Sequence, residues 1–341
     1  PMYRRQRQMC IRDSDKPHIG HAYTTILADT ISRFRALIGE KPTFLTGLDE
    51  HGLKVQQAAE KNGKAPQDHC DSMAPAFIHL WKKLNINYSD FIRTTEHRHT
   101  KIVQQILTKV HESGDIYMDE YEGWYSISEE RFITEKELDS GQFGEVKQIK
   151  EKNYFFRMSK YQATLIDKIE KDELLIQPKS RKNEVLGFLK NELSDLCISR
   201  PKSRLEWGIE LPFDDNYVTY VWFDALINYI SAIGAYSNDE HFSSLWPADV
   251  HLIGKDILTT HSVYWPTMLL SLGLPLPQRI FAHGWWLTDD QKMSKSLGNV
   301  VSPLMLIDDF GVDSVRYYLM SEMVLGMDAT FSSESFEKKY N

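Results

Sequence analysis

Two short polar motifs, far apart in the chain, carry residue types that bind phosphate. The later one, Lys292-Met293-Ser294-Lys295-Ser296, places two lysines three positions apart beside two serines, and Gly298 follows. The serines keep such a loop slim, the glycine lets its backbone bend, and the two ammonium groups can converge on a polyphosphate. A simpler interpretation exists, because a Lys-x-x-Lys pair on a surface loop is usually just solvated charge.

The earlier motif is Pro17-His18-Ile19-Gly20-His21. Its histidines are three positions apart, so if a helix begins there, both imidazoles share the face of its first turn. Gly20 would leave room for a nucleotide against the backbone, and a helix N-terminus favours anions. Two histidines at this spacing are more often unrelated, or half of a metal site. The two motifs together predict a triphosphate site more strongly than either does alone.

Asp49 follows a predicted strand, where open α/β sheets place ligand groups. Such an aspartate could simply cap a turn. With His51 and Gly52 beside it, a carboxylate that receives an ammonium group becomes the favoured interpretation. Arg200, at a predicted domain crossover, would by itself be taken for a surface arginine.

Aromatic residues cluster at two further predicted strand ends. Trp222 and Tyr229 could be plain core, or they could wall an apolar pocket in which Ala225 leaves space. Asp256 is placed to accept protons from ribose hydroxyls. His261 and Trp265, four positions apart, share a helix face, although a single buried histidine is usually a satisfied core residue.

Composition narrows the class of protein. The chain has 341 residues, of which 42% are hydrophobic and 26% charged, as in a globular protein of two or three domains. It lacks the apolar run of about 18 residues that a membrane helix needs, so no membrane association is predicted. The net charge of −8 argues against a general nucleic-acid coat. Three scattered cysteines, Cys10, Cys70 and Cys197, fit neither a disulfide framework nor a four-thiolate zinc site, and favour a cytoplasmic location.

Helices that alternate with short strands predict an α/β fold with a parallel sheet. Apolar residues three or four positions apart predict a helix from Ile19 that ends near Gly39, and Thr43–Thr46 is predicted as a buried strand. A helix is also predicted around 312–319. Further strands, the first of them central, are predicted at 217–223, 250–254 and 279–282.

Two stretches interrupt this pattern. Residues 1–14 carry Arg4, Arg5, Arg7 and Arg12 where a doubly wound fold needs an apolar strand. They resemble translated sequencing-adapter read-through, and we interpret them as an assembly artefact. Residues 117–199 are dense in charge and aromatic residues, which predicts an inserted module.

The two opening motifs match, letter for letter, the HIGH and KMSKS signatures of class I aminoacyl-tRNA synthetases. From roughly Asp15 to Asn341 the chain resembles the methionyl-tRNA synthetase family. The stretches that carry this narrower resemblance are Thr46–Gly52, Tyr220–Ala225, Gly254–Ile257, Trp265–Pro266 and Lys292–Ser296.

The resemblance implies an α/β fold in which a Rossmann-type parallel sheet is split by an α+β connective insertion and followed by a KMSKS subdomain. An aberrant segment at 1–14 would precede it. The catalytic domain would occupy 15–116 and 200–285, with the insertion at 117–199. The KMSKS subdomain and the start of an anticodon-binding helical domain would occupy 286–341.

The resemblance also implies formation of methionyl-adenylate from L-methionine, ATP and Mg²⁺, and transfer to the 3′ adenosine of tRNA(Met). By analogy the triphosphate would be held by His18, His21, Lys292 and Lys295. Further ATP contacts would come from Gly20, Gly254, Asp256, His283, Gly284, Met293, Ser294 and Ser296. Methionine would be bound by Asp49, Arg200, Trp222, Ala225, Tyr229, Ile257, His261 and Trp265.

Three departures from the family pattern qualify this expectation. Many relatives hold zinc on paired cysteines of the insertion, but Ser126–Arg131 contains none, so no zinc is predicted. Arg12 stands where the family's first strand ends in a tyrosine that covers methionine. The helical domain barely begins at Phe336–Asn341, so we expect a monomer that binds its tRNA poorly.

Two alternatives remain open. The chain could be a class I synthetase for another amino acid, although the insertion is short for the editing domain of the leucine, isoleucine and valine enzymes. It could also be a catalytically silent tRNA- or protein-binding relative. Such a relative would be expected to have lost one of the phosphate-binding residues, all of which are present.

Overall fold

A six-stranded parallel sheet is the centre of the molecule, seen in a computed structural model that describes residues 5–8, 17–126, 131–133, 138, 146–288, 291–292 and 300–340. At 5–8, 121, 131–132 and 291–292 only the backbone is described. All five neighbouring pairs are parallel. In spatial order the strands are Asp90–Arg93 (β3), Thr43–Leu48 (β2), Arg5–Gln8 (β1), Val250–Gly254 (β12), Arg279–His283 (β13) and Leu175–Gln177 (β7).

The strand order reverses between β1 and β12. The chain moves from β1 outward to β2 and β3 on one side, and β12 and β13 lie on the other. Doubly wound sheets bind ligands outside the carboxyl ends of their strands at this reversal. Helix α1, Ile19–Leu37, follows β1 and so begins at that place.

The backbone of Arg5–Gln8 pairs with β2 on one side and with β12 on the other. This pairing places the backbone of these four residues in the sheet, while the interpretation of residues 1–14 as an assembly artefact stays a prediction. The composition remains unusual, because a central parallel strand is normally apolar and this one reads Arg-Gln-Arg-Gln. The rest of the segment, including Arg4 and Arg12, lies outside the described residues.

Helices cover both faces of the sheet, and each face has its own apolar core. Ile26, Phe77 and Trp81 are fully buried on the α1 side, and Ile106 and Phe223 on the other. Besides α1, the helices of the α/β region are Leu53–Lys61 (α2), Pro66–Lys83 (α3), His97–Glu112 (α4), Gln162–Glu170 (α5), Lys179–Phe188 (α6), Val221–Ser231 (α7), Asp239–Leu245 (α8) and Trp265–Ser271 (α9). None of the helices described is both long and apolar enough to cross a membrane.

Two antiparallel sheets interrupt the parallel one. Their strands are Ile116–Ser126 (β4), Arg131–Ile133 (β5), Val146–Phe156 (β6), Leu196–Cys197 (β8), Ser199–Pro201 (β9), Glu210–Leu211 (β10) and Asp214–Thr219 (β11). The first sheet has the order β5-β4-β6-β8, and the second the order β10-β11-β9.

These sheets correct two predictions. The stretch 117–199 is not one continuous insertion, because β7 lies within it and pairs with β13 in the parallel sheet. The stretch 217–223 is not a central strand, because β11 ends at Thr219 and α7 begins at Val221. A short apolar run does not by itself distinguish a buried strand from a buried helix.

A small sheet and three helices end the described chain. Strands Trp286–Thr288 (β14), Gln291–Lys292 (β15) and Ala329–Phe331 (β16) pair in the order β15-β14-β16. The helices are Pro303–Phe310 (α10), Val312–Glu322 (α11) and Ser333–Tyr340 (α12). The predictions of a helix at 312–319 and of strands at 250–254 and 279–282 are confirmed.

Candidate active site

The two histidines of the first motif lie against each other at the start of α1. His18 is the N-cap of the helix rather than part of its first turn, and its ring stacks on that of His21 with the centroids 3.8 Å apart. Nδ1 of His18 accepts the backbone N–H of Gly20 at 3.1 Å, and Nδ1 of His21 accepts that of His18 at 3.2 Å. A neutral imidazole that accepts at Nδ1 carries its proton on Nε2. Both rings can therefore offer an Nε2–H donor beside a helix N-terminus, which itself favours anions.

Gly20 leaves room for the ring of His18. A Cβ built at this position would lie 2.9 Å from Cε1 of His18. The expectation that Gly20 also leaves room for a nucleotide stays a prediction. The glycine allows the histidine ring to fold over the helix start.

Asp49 is held in place through its neighbours at the end of β2. The carbonyl of Leu48 accepts the N–H of Thr94 at 3.1 Å, and Oγ1 of Thr94 accepts the N–H of Glu50 at 2.9 Å. The Glu50 carboxylate in turn accepts from Nε of Arg93 at 2.8 and 3.0 Å. Asp49 itself is only 2% exposed. A carboxylate this deeply buried is best stabilised by a cation, and an ammonium group supplies one.

Phe77 connects the histidine motif to a small cavity beside Asp49. Asp49 and Phe77 line this cavity together with Cys70, and the ring centroid of His21 lies 5.7 Å from that of Phe77. Burial raises the pKa of the Cys70 thiol to about 12, so the thiol is protonated and donates to the carbonyl of Glu50. The structure thus brings together two site predictions that are distant in sequence.

Asp256 lies in an exposed turn directly after β12. Its Oδ1 accepts the indole N–H of Trp285 at 3.2 Å. Lys255 lies over the same indole, with Nζ 4.0 Å from the ring centroid and 2.7 Å from Oδ2 of Asp328. A Cβ at Gly254 would lie 2.6 Å from Oδ1 of Asp256, so only glycine lets the carboxylate fold back to this position.

His283 is buried at the end of β13 and joins that strand to α1. Its Nδ1 donates to the carbonyl of Gly284 at 2.7 Å, and its Nε2 lies 2.7 Å from Oγ1 of Thr24. Burial lowers the pKa of His283, which favours the neutral ring. A Cβ at Gly284 would lie 2.0 Å from the carbonyl oxygen of Met327, so the backbone of the last subdomain approaches closely here.

A fully buried group of aromatic rings includes three of the residues that were predicted to line an apolar pocket. The hydroxyl of Tyr229 lies 3.0 Å from Nε2 of His261, whose Nδ1 lies 2.9 Å from the carbonyl oxygen of Ile257. A carbonyl only accepts, so Nδ1 of His261 carries the proton and Nε2 accepts from Tyr229. Burial lowers the pKa of His261 to about 4, and the ring is neutral at pH 7. The Trp265 ring lies 6.0 Å from that of Tyr229 and the His261 ring 5.8 Å from it, so both residues of the predicted helix face lie beside Tyr229.

Sequence reasoning missed two members of this group. His251 stacks on Tyr229 with the centroids 4.1 Å apart, and its Nε2 accepts the indole N–H of Trp265 at 3.1 Å. Trp246 packs 6.0 Å from Trp265. The available signal was a lone histidine inside an otherwise apolar buried strand. Of the other predicted pocket residues, Ala225 is buried, whereas Trp222 and Ile257 are partly buried and pack against the same core.

Arg200 is not the surface arginine that its position alone suggests, since it is only 3% exposed. Its guanidinium carbon lies 4.6 Å from the ring centroid of Tyr220, and its Nε donates to the hydroxyl of Tyr125 at 3.3 Å. One terminal nitrogen also donates to the carbonyl of Ser199 at 2.6 Å. Arg200 therefore joins the insertion sheet to the residue that precedes α7.

The lysine motif is reached only in part. Lys292 lies in β15 with its backbone opposite Leu287, while its side chain and the whole of Met293–Ser296 lie outside the described residues. The hairpin that leads into the lysine loop lies beside α1. The ring of Trp286 in this hairpin lies 5.8 Å from that of Tyr23 in α1. The base of the lysine loop and the histidine turn are thus carried by elements in contact.

The arrangement is that of the class I aminoacyl-tRNA synthetases: a doubly wound sheet with the histidine motif after its first strand and the lysine motif on a later hairpin. A family model described as "tRNA synthetases class I (M)" matches residues 12–142 and 139–341. The chain belongs to this family.

Curated relatives agree with this assignment. The methionine–tRNA ligase of Clostridium tetani is 52% identical over 334 residues, and that of Bacillus subtilis is 47% identical over 345 residues. Each alignment covers 96% of this chain and 52% of the relative. The chain therefore spans about half the length of the curated relatives it matches.

Solved structures show the same likeness. The Mycobacterium tuberculosis methionyl-tRNA synthetase in complex with methionyl-adenylate superposes with a TM-score of 0.95 and is 40% identical, over 100% of this chain and 68% of that one. The apo form of the enzyme from that organism superposes with a TM-score of 0.79 at 36% identity, over 98% of this chain and 65% of that one.

Proposed function

We propose that this chain activates L-methionine with ATP, forming methionyl-adenylate and releasing pyrophosphate. Within a longer ligase, the methionyl group would then pass to the 3′ adenosine of tRNA(Met). The relatives' names and the adenylate-bound solved structure support this proposal.

One observation carries the proposal: a continuous series of contacts links the phosphate-type residues to the apolar pocket. His21 contacts Phe77, which lines a cavity with Asp49. His51, in the same loop as Asp49, is hydrogen-bonded to Asp224 of α7. Helix α7 also carries Tyr229 of the aromatic pocket. The series thus runs from an anion site through an ammonium site to an apolar site. These three sites match, in the same order, the α-phosphate end, the amino group and the side chain of one reaction complex.

The chemistry requires alignment rather than a covalent catalyst. The carboxylate of methionine is itself the nucleophile and attacks the α-phosphorus in line, while the bond to pyrophosphate breaks. The protein must fix the two reactants and stabilise the charge that develops on the departing pyrophosphate. In our proposal the Nε2–H groups of His18 and His21 act from one side, and the ammonium groups of Lys292 and Lys295 act from the other.

The apolar pocket suits a thioether. Tyr229, His261 and Trp265 are all fully buried, and His261 is neutral, so the pocket presents aromatic surface without a charge. Sulfur makes favourable contacts with aromatic rings, and an unbranched side chain fits between such walls. We assign Asp49 to the ammonium group and Asp256, with Gly254, to the adenosine.

The remaining expectations belong to the proposal as well. Mg²⁺ would bind together with the triphosphate. The proposal includes no separate metal centre built from carboxylates or thiolates. No group of potential metal ligands occurs among the residues described, and Ile127–Glu130 lie outside them, so the lack of zinc stays a prediction. Cys70 and Cys197 are free thiols, which supports a reducing, cytoplasmic setting. A monomer remains the expected state.

Methionine-dependent exchange of labelled pyrophosphate into ATP tests the proposal. The chain is expected to support exchange with methionine, and not with leucine, isoleucine or valine. Exchange with a different amino acid alone would instead identify another class I synthetase. ATP binding without any amino-acid-dependent exchange would favour the catalytically silent relative.

A further inference from the structure

A buried network of polar side chains lies behind Asp49, and the reaction as described gives it no role. Oδ2 of Asp224 accepts from Nδ1 of His51 at 2.6 Å, and its Oδ1 accepts from Nε2 of His99 at 2.6 Å. Nδ1 of His99 lies 2.8 Å from Oγ of Ser231. Asp224 and His99 are 0% exposed, Ser231 4% and His51 5%. Contacts between charges are strong in such surroundings, because little water screens them.

The network connects three separate parts of the fold. His51 lies in the loop after β2, two positions beyond Asp49. His99 lies in the first turn of α4. Asp224 lies in α7, the helix that carries Trp222, Ala225 and Tyr229 of the apolar pocket. A single carboxylate therefore joins the loop of the ammonium site to the helix of the side-chain site.

The charges of the network support one another. Burial would raise the pKa of Asp224, but attraction to His51 and hydrogen bonds from both histidines outweigh it and hold that pKa below its ordinary value. Burial would lower the pKa of His51, but Asp224, with help from Asp49 and Glu50, raises it. Both shifts favour the charged forms of His51 and Asp224, and removing one member of a buried ion pair leaves the other charge without compensation.

Other hydrogen bonds of this loop lead to parts of the fold other than α7. The Glu50 carbonyl accepts the indole N–H of Trp207 at 2.6 Å, and Gly52 donates to the Trp207 carbonyl at 3.1 Å. The Glu50 side chain is bonded to Arg93, the last residue of β3. These contacts fix the loop to the neighbouring strand and to the β9–β10 connection. The bond from His51 to Asp224 reaches the pocket helix.

We propose that Asp224 is a positioning residue for methionine: through His51 and His99 it sets the distance between the Asp49 carboxylate and the aromatic pocket. This inference rests on the proposed function, since it assumes that the two ends of methionine occupy those two places. An enzyme that binds an amino acid at both ends can distinguish it from others by its length. A side chain one methylene too long or too short is discriminated by roughly 10- to 200-fold in a rigid apolar pocket. That discrimination should fall when the pocket helix and the loop are no longer bonded.

The test is Asp224→Asn, which keeps the shape of the side chain and removes its charge. In methionine-dependent pyrophosphate exchange we expect the KM for methionine to rise by about tenfold or more, as for loss of a charged hydrogen bond. The KM for ATP should stay within about twofold of its original value. A uniform loss of folded enzyme would change neither KM, so a rise in the methionine KM alone would not be an effect of stability. The preference for methionine over ethionine, which is one methylene longer, should shrink.

Asp115→Asn is the matched control. Asp115 is a second buried aspartate, 2% exposed, with Lys160 at 2.6 Å and Ser271 at 2.8 Å, at the root of the insertion sheet. It should lose stability in the same manner but keep both KM values and the ethionine ratio. An unchanged methionine KM and ethionine ratio in Asp224→Asn, or equal changes in the two variants, would overturn the proposal.

A second pair of variants serves if Asp224→Asn does not fold. His51→Ala removes the donor, whereas His51→Asn can place an amide N–H where Nδ1 stands. We expect His51→Ala to raise the methionine KM and His51→Asn to bring it back close to the original value. Identical KM values in the two variants would overturn the positioning role.

Equilibrium dialysis of methionine against the original chain separates failure of the proposed function from failure of the positioning role. If that chain neither binds methionine nor supports exchange, the proposed function fails first, and the positioning role falls with it.

Discussion

The indole N–H of Trp285 donates to Oδ1 of Asp256 across 3.2 Å, joining the strand end assigned to adenosine with the residue that precedes β14. The backbone N–H of Trp285 donates to Asp328 at 2.8 Å, and Asp328 also pairs with Lys255. Because β14 leads into the hairpin of the lysine motif, these bonds connect the proposed adenosine end of the site to the proposed triphosphate end.

Trp285→Phe should therefore weaken ATP handling without affecting methionine. The substitution keeps an aromatic ring beneath Lys255 and removes only the donor to Asp256. Losing one neutral-to-charged hydrogen bond corresponds to roughly a 10-fold effect. We expect the KM for ATP in pyrophosphate exchange to rise by about that factor, with the methionine KM unchanged. A rise in the methionine KM alone would contradict this assignment.

Lys295→Ala should leave the fold intact and slow adenylate formation strongly. Removing one preorganised group that stabilises transition-state charge typically costs about 100- to 1,000-fold in rate. The measurements are the exchange rate and the thermal unfolding midpoint. Lys61→Ala, at an exposed lysine that ends α2, is the matched control and should change neither. An exchange rate unchanged by Lys295→Ala would remove Lys295 from the site.

Gly284→Ala tests the close approach of the last subdomain to β13. The added Cβ would stand 2.0 Å from the carbonyl oxygen of Met327, so the backbone must shift, and we expect a lower unfolding midpoint and a higher KM for ATP. Gly187→Ala is the control, because a Cβ there meets nothing within 4 Å and the residue lies in α6. That change should be neutral or stabilising, by up to about 1 kcal/mol. Equal effects of the two substitutions would argue against a tight contact at Gly284.

The His51–Asp224 pair should make stability depend on pH. The pKa of His51 is raised in the folded chain, so its contribution is complete below the unfolded value of about 6.5 and is lost as the pH rises through the folded value. We expect the free energy of unfolding in urea to fall between pH 6.5 and pH 9 by more in the original chain than in His51→Asn. The same slope in both would show that His51 does not carry the charge.

The sequence predicted the elements whose signals are local. The helix from Ile19 ends at Leu37, and Gly39 then adopts a φ of 89°, which glycine readily allows. The strands that end at Leu48 and Gly254, and with them Asp49 and Asp256, were also found from local pattern. The resemblance supplied most of the site residues, because its motifs are short and contiguous.

Features that depend on tertiary contacts were missed. Nothing in the spacing of His99 and Asp224, 125 positions apart, indicates a bond between them. The pairing of β7 with β13 was missed because a three-residue strand has no measurable period. The polar strand Arg5–Gln8 was rejected on composition, whereas its backbone position in the sheet follows from the connection to α1.

The central claim is spatial: one triphosphate lies between the two histidines and the two lysines. A crystal structure of this chain with methionine and a non-hydrolysable ATP analogue tests it most directly. The account predicts that Nε2 of His18 or His21 and Nζ of Lys292 or Lys295 lie within hydrogen-bonding distance, about 3 Å, of oxygens on the same triphosphate. An analogue bound with the lysine loop on an unrelated surface would contradict the account.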